Sequence, residues 1–308
     1  MMTRSISSID DISREEFSDI LVRSEKLKKS LKSGESVSVL DGKVIGLLFE
    51  KPSTRTRTSF QTAVLKMKGS AIYLAADKMQ LSRGEPIKDT ARILGSYLDG
   101  IIARVYKQNT IDQLTKYSGV PVINGLSDTG HPTQIISDFL TVKELKGHLE
   151  GLTLTFIGDG NNVANSLLLG GAINGMNITV ACPKGYEPDE AVVTKAHQIS
   201  DKTGSDIKIT HNPKDAAEGV DVLYTDVWVS MGEEDERKKR LKAFEGYQIN
   251  ADLLSVAKDD AIVMHCLPAH RGLEITDDMM ESPQSAIWSQ GENKLYGAIG
   301  LLSWIYGG

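Results

Sequence analysis

Short apolar runs recur along the chain with longer polar stretches of helical spacing between them. Runs at 44–49, 71–75, 99–105 and 120–123 read as buried strands, and the segments between them place apolar residues at three- and four-residue intervals. Residues 10 to 40 form a helical opening, with Ile20, Leu21, Leu27 and Leu31 among lysines and a stop at Gly34. The second half repeats the alternation. Strands are expected at 152–157, 178–181, 207–210, 221–225, 261–264 and 286–288, and the apolar segment Leu295–Tyr306 reads as a buried helix. Strand and helix in alternation predict an α/β chain of mostly parallel sheets flanked by helices.

A length of 308 residues suits two such domains, each with its own core. With 40% hydrophobic and 25% charged residues, the chain has the composition of a globular enzyme, and no apolar run approaches the length that crosses a bilayer. The opening MMTRSISSIDD lacks the apolar stretch of a secretory signal. Cys182 and Cys266 stand far apart and outside any CxxC, which disfavours a disulfide framework or zinc ribbon and fits a reducing cytoplasm. A net charge of −6 argues against nucleic acid or an acidic membrane as partner, so an anionic substrate has to be met by local positive potential.

That potential is concentrated in Phe49–Phe60, FEKPSTRTRTSF, where a strand turns into a helix that begins near Ser53 or Thr54. A helix start presents unpaired backbone N–H groups and the positive end of its dipole, and here hydroxyls and guanidinium groups crowd the same turn. Capping alone would need one hydroxyl, so the turn reads as a phosphate site. Arg55 and Arg57, two positions apart, point in different directions, which leaves Arg57 as structural support.

Other chemistry falls at run ends. Arg104 closes the run 101–103, where parallel sheets bind ligands, although a lone arginine there is more often an edge salt bridge. In Asp128–Gln134, Pro132 suits a first helical position and sets His131 and Gln134 at the start of a helix over roughly 132–147. Asn162, Asp226 and His265-Cys266-Leu267-Pro268 follow three runs of the second half, so a parallel sheet would gather them on one rim. Singly they are helix caps and a small buried hydrophobe. His265 beside Cys266 is too little for a metal site. Glu233–Arg240 is a solvated helix face. Gly158-Asp159-Gly160 suggests a dinucleotide turn, but Val163 replaces the third glycine and Cys182-Pro183 stands where an acidic residue would hold the ribose.

STRTR behind a strand, followed by HPTQ and then by HCLPAHRG, resembles the aspartate/ornithine carbamoyltransferase family, and Phe49-Glu50-Lys51 resembles its ornithine branch. The resemblance implies two domains: 1–147 for carbamoyl phosphate, with 293–308 returning to pack on it, and 148–292 for ornithine. The implied reaction moves the carbamoyl group of carbamoyl phosphate to the δ-amine of L-ornithine, giving citrulline and phosphate, with no metal and no organic cofactor. Carried over by resemblance, Ser53, Thr54, Arg55, Thr56, Gln80, Arg104, His131, Gln134, Cys266, Leu267 and Lys294 contact carbamoyl phosphate. Asn162, Asp226, Ser230 and Met231 bind ornithine, and Arg104, His131, Asp226 and Cys266 form the catalytic set, with Cys266 and the Leu267 carbonyl toward the δ-amine. Gln80 lies on a loop that in the family reaches a neighbouring subunit's site, which implies a homotrimer or a multiple of trimers.

The chain departs from the pattern at Lys294, where the family has arginine; lysine keeps the charge and loses the planar fork. Putrescine is the competing acceptor, though Asp226 and Asn162 suit an α-ammonium and α-carboxylate that putrescine lacks. An NAD-dependent dehydrogenase rests on Gly158-Asp159-Gly160 alone, and a non-catalytic binding protein on Lys294 alone.

Overall fold

A computed structural model describes residues 4–229 and 234–307, and the chain divides into two compact units. Unit 1 comprises 1–140 with 292–308, and unit 2 comprises 141–291.

In unit 1, helix α1 (Arg14–Lys32) precedes β1 (Val44–Phe49), α2 (Thr54–Lys66), β2 (Ser70–Ala75), α3 (Ile87–Tyr97), β3 (Gly100–Arg104), α4 (Gln108–Ser118), β4 (Val122–Leu126) and the first part of α5 (Pro132–Lys146), whose last residues belong to unit 2. The four strands are parallel, in the order β2-β1-β3-β4. β1, β3 and β4 are buried along almost their whole length, and apolar apart from Arg104 and Asn124, because helices cover both faces of a parallel sheet. β2 lies at the edge and is accordingly half exposed. Every strand ends at the same rim, so the turns after β1, β3 and β4 carry Ser53, Arg104 and His131 to neighbouring positions along it.

Unit 2 continues with β5 (Thr153–Ile157), α6 (Asn162–Asn174), β6 (Asn177–Ala181), α7 (Glu190–Thr203), β7 (Ile207–Thr210), α8 (Pro213–Ala217) and β8 (Val222–Thr225). After these come α9 (Arg237–Ala243), α10 (Ala251–Leu254), β9 (Ile262–His265), α11 (Asp277–Met280) and α12 (Ile287–Tyr306). Its sheet is parallel, in the order β7-β6-β5-β8-β9. Asn162, Asp226 and Cys266 therefore follow three adjacent strands, β5, β8 and β9.

One expected element is wrong. Residues 286–288 form no strand: Ser285 makes an isolated bridge to Val263, the Ala286 N–H donates to the Val263 carbonyl at 2.8 Å, and α12 begins at Ile287. Three apolar residues cannot by themselves distinguish a short strand from the first turn of a buried helix. The helix expected from Leu295 is correspondingly longer, and its first turn belongs to unit 2.

Within unit 1, α12 packs closely on two neighbours through small residues. A Cβ on Gly297 would meet Ser137 Oγ of α5 at 2.8 Å, and one on Gly300 would meet the Ile20 carbonyl of α1 at 2.7 Å. This close approach puts Lys294, one turn earlier on α12, beside α5. Glu292 pairs with Lys32 at 2.8 Å, and Asn293 accepts from Lys28 Nζ at 2.8 Å, fixing the same turn against α1.

Gly300→Ala is expected to cost about 1–3 kcal/mol through overpacking. Gly291, on the same helix, has nothing within 4 Å of its would-be Cβ, and Gly291→Ala is expected to stabilise by about 0.5–1 kcal/mol through helix propensity. Urea midpoints of the two variants, moving in opposite directions from the parent, check the pair.

Candidate active site

The turn after β1 is built as a helix N-terminus open to an anion. Ser53 is the N-cap of α2, and its Oγ accepts from the Thr56 N–H at 3.2 Å. That satisfies one of the orphan donors of the first turn and leaves those of Thr54 and Arg55 without a side-chain cap from Ser53. No acidic residue occupies this first turn, so the dipole's positive end is not neutralised locally. Arg55 is half-buried and Thr56 buried, whereas Arg57 is exposed with its guanidinium 3.6 Å from the Tyr73 ring centroid. That cation–π contact against the edge strand gives Arg57 a structural partner away from the turn.

Arg104 closes β3 at a register shift between Ala103 and Arg104, and it is buried. Its carbonyl accepts from the Glu50 N–H at 2.9 Å, and the Glu50 carboxylate accepts from the Tyr106 N–H at 2.7 Å. These two bonds fasten the start of the turn after β1 to the end of β3. His131 is buried immediately before α5, and its carbonyl accepts from the Gln134 N–H at 3.0 Å. Burial holds the His131 imidazole well below the ordinary histidine range, and the positive charges of Lys294 and Arg104 push it further the same way. The ring is therefore neutral at physiological pH, able to donate one N–H without carrying charge.

Lys294 is buried, and its ammonium donates to Gln134 Oε1. The other end of that amide, Nε2, donates to Asp138 Oδ1 at 2.7 Å. Thr56, Ser59, Phe60, Thr133, Ser137, Lys294 and Ala298 line a small cavity in unit 1, so Thr56 and Lys294 share one opening. Gln80 is exposed at the head of the turn Gln80–Arg83, which follows the edge strand β2.

In unit 2, Asp226 is buried at the end of β8. Its Oδ1 accepts from the Val227 N–H at 2.8 Å, and its Oδ2 from Asn161 Nδ2 at 2.9 Å. Asn161 is the N-cap of α6, so Asn162 stands as the first residue of that helix, half exposed. Ser230 and Met231 lie outside the described residues.

The loop after β9 is shaped by one histidine. His265 Nδ1 accepts from the Leu267 N–H at 2.8 Å, which leaves the ring proton on Nε2 to donate to Glu274 Oε1 at 3.0 Å. Leu267 sits at φ 57°, a left-handed conformation that costs a residue with a side chain roughly 1–2 kcal/mol. The His265 bond is one of the contacts that hold it there. Glu274 also accepts from the His270 N–H at 2.5 Å, so the whole span 265–274 is folded around one buried carboxylate. Cys266 is buried and forms no disulfide.

Asp226, His265 and Cys266 place possible ligand atoms within 4.8 Å of one another. Both nitrogens of His265 are already engaged, which leaves two ligand atoms where a structural metal site takes four and a catalytic one three. The second thiol, Cys182, is pushed up to about 12 by burial, with Glu187 and Asp159 adding, and is an inert hydrophobe.

The glycine turn after β5 has a packing reason. A Cβ on Gly160 would lie 2.2 Å from the Pro188 nitrogen, and the Gly160 N–H donates to the Tyr186 carbonyl at 2.9 Å. Chain segment 186–188 thus lies against the turn that a dinucleotide pyrophosphate would have to approach.

Two residues that sequence reasoning passed over belong here. Asn161, overlooked beside Asn162, is the partner of Asp226. Arg240, read as part of a solvated face, is buried: its Nη1 donates to Asp159 Oδ2 at 2.8 Å and to the Trp228 carbonyl at 3.3 Å. Its position four residues after Glu236, with which it pairs at 3.3 Å, was the visible signal and pointed only to a surface pair.

Because the folded-state pKa of His131 is lowered, the unfolded chain binds the extra proton first, and native stability is lost as pH falls below about 6.5. His131→Gln removes this linkage. The stability gap between parent and variant is expected to shrink from about pH 7.5 to about pH 5, as urea midpoints across that range would show; parallel profiles would contradict a buried neutral imidazole.

The carbamoyl-phosphate-binding domain model of the aspartate/ornithine carbamoyltransferases matches residues 4–144, and the Asp/Orn-binding domain model matches residues 150–305. The chain is 54% identical over 282 residues to the ornithine carbamoyltransferase of Methanosphaera stadtmanae, covering 91% of this chain and 93% of that one. It is 51% identical over 301 residues to that of Methanosarcina mazei, covering 98% of each. The solved structure of the ornithine carbamoyltransferase from Pyrococcus furiosus superposes with a TM-score of 0.96 at 46% identity, over 99% of this chain and 97% of that one. With both domain models matched in order and relatives of this similarity over nearly its full length, the chain belongs to the aspartate/ornithine carbamoyltransferase family.

Proposed function

We propose that this chain is an ornithine carbamoyltransferase, transferring the carbamoyl group of carbamoyl phosphate to the δ-amine of L-ornithine to give L-citrulline and phosphate. The observation that carries the reading is the grouping in unit 1 of a neutral buried histidine with two buried cations and a helix start that has no acidic residue in its first turn. An acyl phosphate anion needs the cations and the helix N–H groups. A carbonyl about to gain negative charge needs preorganised donors, and a neutral imidazole N–H with Arg104 supplies them.

In the reaction the amine lone pair forms a C–N bond to the carbamoyl carbon, the C–O bond to phosphate breaks, and the nitrogen gives up one proton to the departing phosphate. Ser53, Thr54, Arg55 and Thr56 take the phosphate, with Gln80 of a neighbouring copy completing the site in a homotrimer. His131, Arg104 and Thr56 hold the carbonyl oxygen, and Gln134 with Lys294 serves the carbamoyl amide. In unit 2, Asp226 with Asn162, Ser230 and Met231 takes ornithine's amino-acid end, while Cys266 and the Leu267 carbonyl orient the δ-amine. No step in this scheme calls for a metal or an organic cofactor. The absence of a helix long and apolar enough to cross a membrane among the described residues is compatible with the cytoplasmic location expected from sequence.

Arg55→Ala is expected to lower kcat/KM for carbamoyl phosphate by about 10²–10³ with the circular dichroism spectrum unchanged; near-normal turnover would refute the phosphate assignment. A ureido-product assay with carbamoyl phosphate and ornithine, putrescine, aspartate or N-acetylornithine is expected to give product with ornithine. Ornithine inactive beside active putrescine would overturn the choice of acceptor.

A further inference from the structure

The Gln134 side chain is held at both ends by groups that permit one orientation only. Lys294 carries donors and no acceptor, so the amide end against it must be the oxygen. At the other end Nε2 donates to Asp138 Oδ1, 2.7 Å away, so the end against the carboxyl group is the NH2. At most amides the placement of N and O has to be assigned from neighbours that tolerate either choice; here a flip would set NH2 against an ammonium and a carbonyl oxygen against a carboxylate. Asp138 is fully buried and lies four residues after Gln134 on α5, so it grips the amide from within the helix's own buried face. The oxygen is left on the side of Lys294, which lines the same cavity as Thr56 of the phosphate turn.

A carbonyl oxygen has two lone pairs, and Lys294 uses one. The remaining one is an acceptor set beside a charged donor, suited to a ligand N–H and to no methyl group. We propose that Asp138 and Lys294 lock the Gln134 amide with its oxygen on the Lys294 side, making Asp138 a positioning residue by which the site tells a carbamoyl NH2 from an acyl CH3. Lysine in place of the family's arginine retains this half of the lock, because both are donor-only cations. The proposal rests on the reading of unit 1 as a carbamoyl-phosphate site.

Acetyl phosphate, which matches carbamoyl phosphate in shape and phosphate charge but has a methyl for the NH2, isolates the effect. Kd values for both ligands are to be measured by calorimetric titration of the parent, Asp138→Asn, Asp138→Ser and Lys294→Gln. Asparagine and glutamine donate as well as accept, so each releases one end of the lock, and Gln134→Met sets the floor. The parent is expected to favour carbamoyl phosphate. The ratio of the two Kd values is expected to fall about fivefold to tenfold toward the floor in each lock variant, the worth of one buried hydrogen bond. General loosening of the fold, or loss of the Lys294 charge, would weaken both ligands together and leave the ratio where it was. An unchanged ratio in a folded Asp138 variant overturns the lock; should neither Asp138 variant fold, an unchanged ratio in Lys294→Gln does so. A parent that binds neither ligand refutes instead the carbamoyl-phosphate reading on which the lock depends.

Discussion

Unit 1 is governed by the cost of burying positive charge. Arg104 and Lys294 are both withdrawn from water, and an ammonium or guanidinium is tolerated there only when polar groups compensate it. For Lys294 the compensation runs through Gln134 to the Asp138 carboxylate, and it requires α12 to approach α5 closely. Gly297 makes that approach possible, so a packing feature of an apolar helix and the electrostatics of the site are one constraint. The same two cations, added to burial, keep His131 neutral. Negative charge is not supplied by the first turn of α2, which leaves the rim positive in a chain whose net charge is −6.

Unit 2 solves a different problem, the placement of backbone groups in loops without regular pairing. Loop 265–274 is organised by His265, which spends one ring nitrogen on the Leu267 N–H and the other on Glu274. Cys266 is thereby fixed between a strand end and a left-handed residue. The turn after β5 is fixed by Arg240, whose guanidinium bonds Asp159 and the Trp228 carbonyl, so Trp228 is tethered to the turn that carries Asn161. Asn161 in turn steadies Asp226. The two acidic groups at this rim are both held by side chains chosen for donor geometry.

Much of this was legible in the chain's pattern. Nine of the ten expected strands exist, because a fully buried parallel strand is a short apolar run bounded by polar turns. The exception, 286–288, shows the limit of that signal, since the opening turn of a buried helix has the same appearance. Ser53 as N-cap and Pro132 as the first residue of α5 were readable because caps and first-turn prolines are set by local backbone geometry. Arg240 and Asn161 were not, because the partners that give them meaning lie 81 and 65 residues away.

Local sequence patterns specify the nine strands, the helix start at Ser53 and the motif residues STRTR, HPTQ and HCLP that mark the family. These depend on neighbours within a turn or two. Tertiary structure alone decided that His131 is neutral, that Gly160 serves packing, that His265 has no nitrogen left for a metal, and that Lys294 acts on Gln134. Protonation, close approach and the orientation of an amide are properties of the space around a group, and that space is filled by residues from distant parts of the chain.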